Sequence, residues 1–295
     1  MKTAITIAIL LVVLAGGGYY YWEIYRVPKV AVDLILIYER DFGQEAMQRA
    51  DVKLTDSDDY APILKEIGVL RGDLKRINEK FSWIWPPSKL KQVHSAMLEA
   101  VRTTDSFVAK DEVKARFMSD LSDLMRTVLP KDRDKKLEPD ATIADLTNFW
   151  IDAIPQMKSR GDTLFAREPI QLKGVTFEEL KLRWNEARDN FDVLFVLARL
   201  QNPKLLARDF SQTYQTKLTD RERTAVKKSL AFFDIIEKAI FQNSAYDIFE
   251  NDPYVDEELR KKKVNVQRAV RIFSEENPDL VKKIEAEAQK RGIKL

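Results

Sequence analysis

Ile63, Ile67, Leu70, Leu74, Ile77, Phe81 and Ile84 recur at spacings that alternate strictly between four and three residues. A strand repeats every two residues and would scatter these side chains over both of its faces. An α-helix keeps all seven on one stripe, and a stripe that long must be covered by a neighbouring helix. The chain is therefore built at least in part from packed helices, and the rest of the sequence continues the pattern. Trp83-Ile84-Trp85-Pro86-Pro87 turns the chain. Pro87 suits the first turn of the next helix, where Trp85 can pack on Leu90 as a staple. That helix carries Leu90, His94, Met97, Val101, Thr104 and Val108 on one seam, with Val93, Ala100 and Phe107 beside it, so the pair reads as a helical hairpin.

The same grammar recurs downstream. A further helix bears Val113, Phe117, Leu121, Leu124 and Val128 and stops before Pro130, and upstream the segment Val30 to Met47 also has helical spacing. After the charged stretch Lys131 to Asp140, Thr142 can cap a helix with Ile143, Leu146, Trp150 and Ala153 inward, which Pro155 is expected to kink or end. Thr176-Phe177-Glu178-Glu179 is a capping box that opens a second heptad seam, Phe177, Leu180, Trp184, Ala187, Phe191, Leu194 and Ala198. Thr219 to Glu222 is another, ahead of Val226, Phe233, Ile236 and Ile240. Asp252-Pro253 and Asn277-Pro278 then punctuate two last helices, the first through Leu259, Val266, Val270 and Phe273. Nine Gly and 11 Pro in 295 residues are too few for many tight strand turns. The fold class expected is all-α: an N-terminal transmembrane helix followed by antiparallel helical bundles. The segmentation expected is an anchor or signal over 1–26, a bundle over 30–130, a linker over 131–141 and a second helical region over 142–295.

The first residues carry a different message. Lys2 precedes an apolar run from Ala4 to Ala15, then Gly16-Gly17-Gly18 and the aromatic cluster Tyr19, Tyr20, Tyr21 and Trp22. Residues 4–22 hold no charge and are long enough to cross a hydrocarbon core as a helix. Tyr19, Tyr20, Tyr21 and Trp22 fall where a membrane–water interface favours amphipathic rings. The same grammar fits a secretory signal cut after Ala15 or Gly17, which would release a secreted protein. Leu14-Ala15-Gly16 resembles the start of a lipoprotein processing box, but Gly17 stands where the acylated Cys would be required. Charge counting alone, Lys2 against Arg26 and Lys29, does not set the orientation; the short tail and the signal-like grammar favour export of the C-terminal bulk.

Several chemistries are excluded. With no Cys there are no disulfides, thiolate metal sites or cysteine nucleophiles. The 49 basic and 47 acidic residues are interspersed, and the run Arg260 to Lys263 directly follows Asp256-Glu257-Glu258, a solvated helix face and no nucleic-acid stripe. Asp56-Ser57-Asp58-Asp59 fails the EF-hand pattern, because Ala61 and Ile67 stand where Gly and Glu are needed; these acids suit a helix N-terminus instead. His94 is the single imidazole and has Lys91 three residues before it, so no Glu-x-x-His metal motif forms. On its seam it reads as a half-buried histidine with one hydrogen bond, or as a pH-responsive contact. No phosphate loop or nucleophile elbow occurs, and no cofactor is implied.

Trp83 and Trp85 are core residues of the hairpin or, if exposed, anchors for a partner or a membrane surface. With His94 they are the candidate partner-binding residues. The function expected is a non-enzymatic binding or scaffolding role in the cell envelope, with residues 4–22 in the membrane and protein partners beyond it. A ligand-binding sensor domain and a helical cell-wall hydrolase are the alternatives.

Overall fold

The computed structural model describes residues 17–46, 59–128, 143–191, 219–245 and 253–293. Every regular element among them is helical. Residues 4–16 of the apolar run, the expected linker over 131–141, Thr142, Leu194 and Ala198 lie outside the described residues. Among the described residues no helix is long and apolar enough to cross a membrane.

The chain opens with a helical run over 17–46, within which Tyr21–Tyr25 and Leu36–Ala46 have the wider π-type winding and α1 spans Val27–Ile35. Then come α2 (Ala61–Trp83), a short 3-10 turn (Ser88–Leu90), α3 (Lys91–Val128), α4 (Ile143–Phe165), α5 (Phe177–Arg188), α6 (Asp220–Gln242), α7 (Pro253–Glu276) and α8 (Pro278–Lys290). Contacts divide the chain into two compact units that are discontinuous in sequence. The first comprises residues 1–52, 65–110 and 251–295, and the second 53–64 and 111–250. The segments 30–130 and 142–295 drawn from the sequence follow chain order, whereas this division returns the C-terminal helices to the N-terminal unit.

In the first unit the α2 seam is buried as its spacing requires: Leu74, Ile77 and Phe81 are fully covered, and Leu70 and Ile84 partly. Each fully buried side chain of this kind contributes about 1.5–3 kcal/mol. Contacts pair Phe81 with His94, Asn78 with Arg102 and Arg71 with Asp105, so α2 and the start of α3 run antiparallel. Leu90, Met97 and Val101 meet that seam in one core with Val27, Val30 and Leu34 of α1 and with Val266, Phe273, Leu280 and Ile284 of α7 and α8. Asn277 bridges the last two helices, its side-chain N–H donating to the Phe273 carbonyl, and Pro278 sits where a helix start has no N–H to satisfy. Arg291 reaches from the end of α8 to Asp33 of α1 at 2.6 Å, and Lys262 of α7 to Glu99 of α3 at 2.6 Å.

The second unit has an aromatic core. Phe117, Phe165, Phe177, Trp184, Phe191 and Phe232 are all buried, with Phe165 stacked on Trp184 at 5.6 Å between ring centroids and Phe232 at 5.3 Å from Trp184. Thr176 caps α5 by accepting from the Glu179 N–H, and Thr219 with Glu222 completes a reciprocal box on α6. Asp162 accepts from the Trp184 indole at 3.1 Å and from two nitrogens of Arg188 at 2.6 Å each. Gly161 leaves room for the indole, since a Cβ there would lie 2.2 Å from the Trp184 ring. Asn243 is fully buried and bonds the Lys173 backbone in both directions, while its own carbonyl accepts from the Tyr60 hydroxyl at 2.8 Å. The adjoining Gly174 has φ +68, a conformation that suits glycine.

Three expectations are corrected. The helix expected to carry Val113 and the helix before it are one continuous α3, because no Pro or Gly interrupts residues 91–128. Val113 is exposed, whereas Phe117, Leu121 and Leu124 of the same expected seam are buried, with Ala115 and Met118 beside them. On α6 Val226 and Ile236 are buried as expected, but Phe232 takes the central place expected of Phe233, which is half-buried, and Ala225, Ser229, Ile235 and Ala239 complete the buried face. Three of those seven buried residues, Ala225, Ser229 and Ala239, are small, which a reading weighted towards large side chains misses. Of the two outcomes expected at Pro155, an end to the helix is not seen: α4 continues through it to Phe165.

Candidate membrane-facing surface and apolar cavity

The helical turn that leaves the apolar run shows its rings to solvent. Tyr19, Tyr20, Tyr21 and Tyr25 are all exposed, Tyr19 by 68%, and Ile24 is exposed with them. Successive helical positions point about 100° apart, so consecutive exposed aromatics encircle the helix and no single protein face can cover them. Tyr21 stacks on Tyr25 at 5.1 Å, and two cations complete the collar: the Arg26 guanidinium lies 4.3 Å over the Trp22 ring and the Lys29 ammonium 5.6 Å from that of Tyr25.

The α2–α3 connection joins this collar. Glu23 accepts from both the backbone N–H and the hydroxyl of Ser88, which ties the connection to the N-terminal helix. Trp85 then sits edge-on to Trp22, ring centroids 6.0 Å apart, while remaining 75% exposed. Leu90 is buried in the core, and the Trp85 ring lies against Trp22. Trp83 is 88% exposed and lines a separate open groove.

That groove is charged, with Asp33, Arg40, Asp41, Arg76, Glu79 and Lys80 along it. Its deepest carboxylate, Asp41, is held by Lys80 at 2.6 Å and Arg40 at 2.9 Å. Burial pushes the Asp41 carboxyl up, but the bonds from Lys80 and Arg40 outweigh it and leave the group below its ordinary value. Tyr38 next to it is pushed up to about 12 by burial and by the Glu39 charge, so its phenol stays neutral. The pairing within the groove makes it a stabilising network.

Elsewhere in the unit a half-open cavity of about 500 Å³ lies between α1, α3, α7 and α8. Leu34, Ile35, Met97, Phe273 and Ile284 give it an apolar wall, and Ser274, Glu285 and Gln289 are the polar groups on its lining. This is within the size range of small-molecule sites. No family, curated protein or solved structure matches this chain. The functional reading therefore rests on the residues.

The remaining sequence candidates are placed as follows. His94 is half-buried, with Nε2 2.9 Å from the Phe81 carbonyl and its ring edge-on to Phe81 at 5.9 Å. A carbonyl only accepts, so Nε2 carries the proton, and the residue closes the end of α2. His94 thus sits on Phe81, whereas Trp85 lies against Trp22. Asp59 accepts from the Ala61 N–H at 3.1 Å and so caps α2; Asp56, Ser57 and Asp58 lie outside the described residues. Among the described residues no cluster of three or more His, Asp or Glu is arranged to hold a metal ion. The cavity and the Trp85–Trp22 contact were not legible in the sequence, because both depend on which helices meet. The sole advance signal was the position of two tryptophans beside two prolines in a turn.

Proposed function

We propose that this protein is a membrane-anchored helical module of the cell envelope, held by residues 4–22, with its bulk on the extracytoplasmic side and a non-enzymatic binding or scaffolding role. The observation that carries this reading is the collar of exposed aromatics at residues 19–25, immediately after an uncharged apolar run. Rings displayed around a whole helix are costly in water and favourable in the interfacial zone of a bilayer. Protein partners would then be met by the helical bulk beyond the membrane.

The test is extraction of membranes from cells expressing the full chain with a C-terminal tag. The chain is expected to resist alkaline washing and to keep its N-terminus, and the tag to be digested by protease added to spheroplasts. Release by the wash, or a mature chain that starts near Gly16 or Gly18, would contradict the anchor; protection of the tag until lysis would contradict the orientation. A second reading, a ligand-binding sensor domain, is favoured by the apolar cavity of about 500 Å³.

A further inference from the structure

We infer that the α2–α3 connection is a second membrane contact, with Trp85 lying in the same bilayer interface as Trp22 and the first unit held against anionic lipid instead of hanging from a free tether. This rests on the anchor reading above, and it adds a surface which that reading does not contain.

Four observations converge on lipid as the occupant. Trp85 is exposed over most of its surface yet held in place, its ring against Trp22 and the connection fixed by Ser88 donating twice to Glu23. Trp22 itself ends the uncharged run of residues 4–22, so the chain entering the bilayer and the ring of Trp85 are within one ring contact of each other. Indole is the side chain best suited to the headgroup zone, where its apolar body and N–H are both accommodated. The charges around the pair are cationic: Arg26 on the Trp22 face, Lys29 beside Tyr25, and the exposed Lys89 and Lys91 flanking the start of α3. The acid among them, Glu23, is engaged by Ser88. Basic side chains at a membrane surface attract anionic headgroups over about a Debye length. A protein partner would have to fit between this collar and the bilayer from which the helix emerges, whereas lipid is already there.

The experiment uses the full chain reconstituted into vesicles of phosphatidylcholine and phosphatidylglycerol, with the phosphatidylcholine brominated on the upper part of its acyl chains. Bromine quenches indoles in contact with lipid. Of the five tryptophans, Trp184 is buried in the second unit and cannot report. Trp85→Phe is expected to lose the share of bromine-quenched emission that Trp85 supplies, and Trp22→Phe to leave a quenched component behind. In wild-type protein, removing phosphatidylglycerol or raising salt is expected to reduce the Trp85 share while the chain stays in the vesicle. An unchanged quenched fraction in Trp85→Phe, with quenching abolished in Trp22→Phe, would overturn the second contact and leave the anchor standing. Acrylamide access to Trp85 equal to that of a free indole would overturn it as well, since the ring would then lie in water. If the wild-type chain neither enters vesicles nor shows any quenching, the anchor itself falls. Because Trp85 is exposed, the Phe variant is expected to unfold at the wild-type temperature, which separates loss of contact from loss of fold.

Discussion

The two units use aromatic residues in opposite ways. Among the described residues of the second, Phe117, Phe165, Phe177, Trp184, Phe191 and Phe232 are interior and touch one another, while Phe233 is half-buried and Phe241 exposed. Among the described residues of the first, Tyr19, Tyr20, Tyr21, Tyr25, Trp83 and Trp85 are on the surface, and the core is mostly aliphatic, with Phe81 and Phe273 buried in it and Tyr38 and Phe42 packed against it. Buried aromatics hold a fold together, whereas a grouped set of exposed ones needs a reason outside the fold. Under the reading proposed above, the exposed rings of the first unit are what meets the membrane, while the buried aromatics of the second hold its fold together.

The comparison breaks first, if it breaks, at Trp184. Truncation to Ala is expected to cost about 3–5 kcal/mol by emptying the centre of the aromatic core. The converse change, Gly161→Ala, forces a Cβ towards the same indole and is expected to cost about 1–3 kcal/mol. Calorimetric unfolding would measure both; a change below 0.5 kcal/mol, roughly the size of a surface substitution, would show that this core is not what stabilises the unit. Next in size is Asn243→Ala, which leaves the Lys173 N–H and C=O without their partner and is expected to cost about 1–3 kcal/mol. Amide exchange at Lys173 should accelerate in that variant, and protection equal to wild type would refute the latch.

The smallest effect concerns acid stability in the first unit. The folded Asp41 carboxyl lies below its unfolded value of about 3.9, so it binds its proton less readily when folded. Its contribution to stability is therefore fully present above that value and is lost as pH falls through the lower, folded one. Asp41→Asn should lower stability at neutral pH and flatten the decline between neutral pH and the acid end. An acid limb as steep as that of wild type would mean that other carboxylates account for it.

Much of this architecture was legible in the sequence where burial follows one helix's own period. The seam from Ile63 to Ile84, the Thr176 cap and the Thr219 capping box stand where spacing put them. Legibility failed where small residues or a neighbouring element decide. Ser229 and Ala239 hold the α6 stripe that Phe233 was expected to join, and the absence of a breaker merged two expected helices into α3. The candidate surface was half visible: composition marked Tyr19 to Trp22, but only tertiary structure could bring Trp85 to Trp22 through Glu23 and Ser88. No local pattern records a contact between residues 63 apart in sequence.

Because the chain has no Cys, single cysteines can report position cleanly. The decisive measurement compares Tyr20→Cys in the collar with Leu182→Cys, an exposed site in the second unit, using a membrane-impermeant maleimide on intact cells. The account expects Leu182→Cys to label from outside, and Tyr20→Cys to label only after detergent dissolves the membrane. Equal labelling of the two before detergent would place the collar in water and remove the membrane from the account; labelling of Leu182→Cys only after lysis would put the bulk of the protein on the other side.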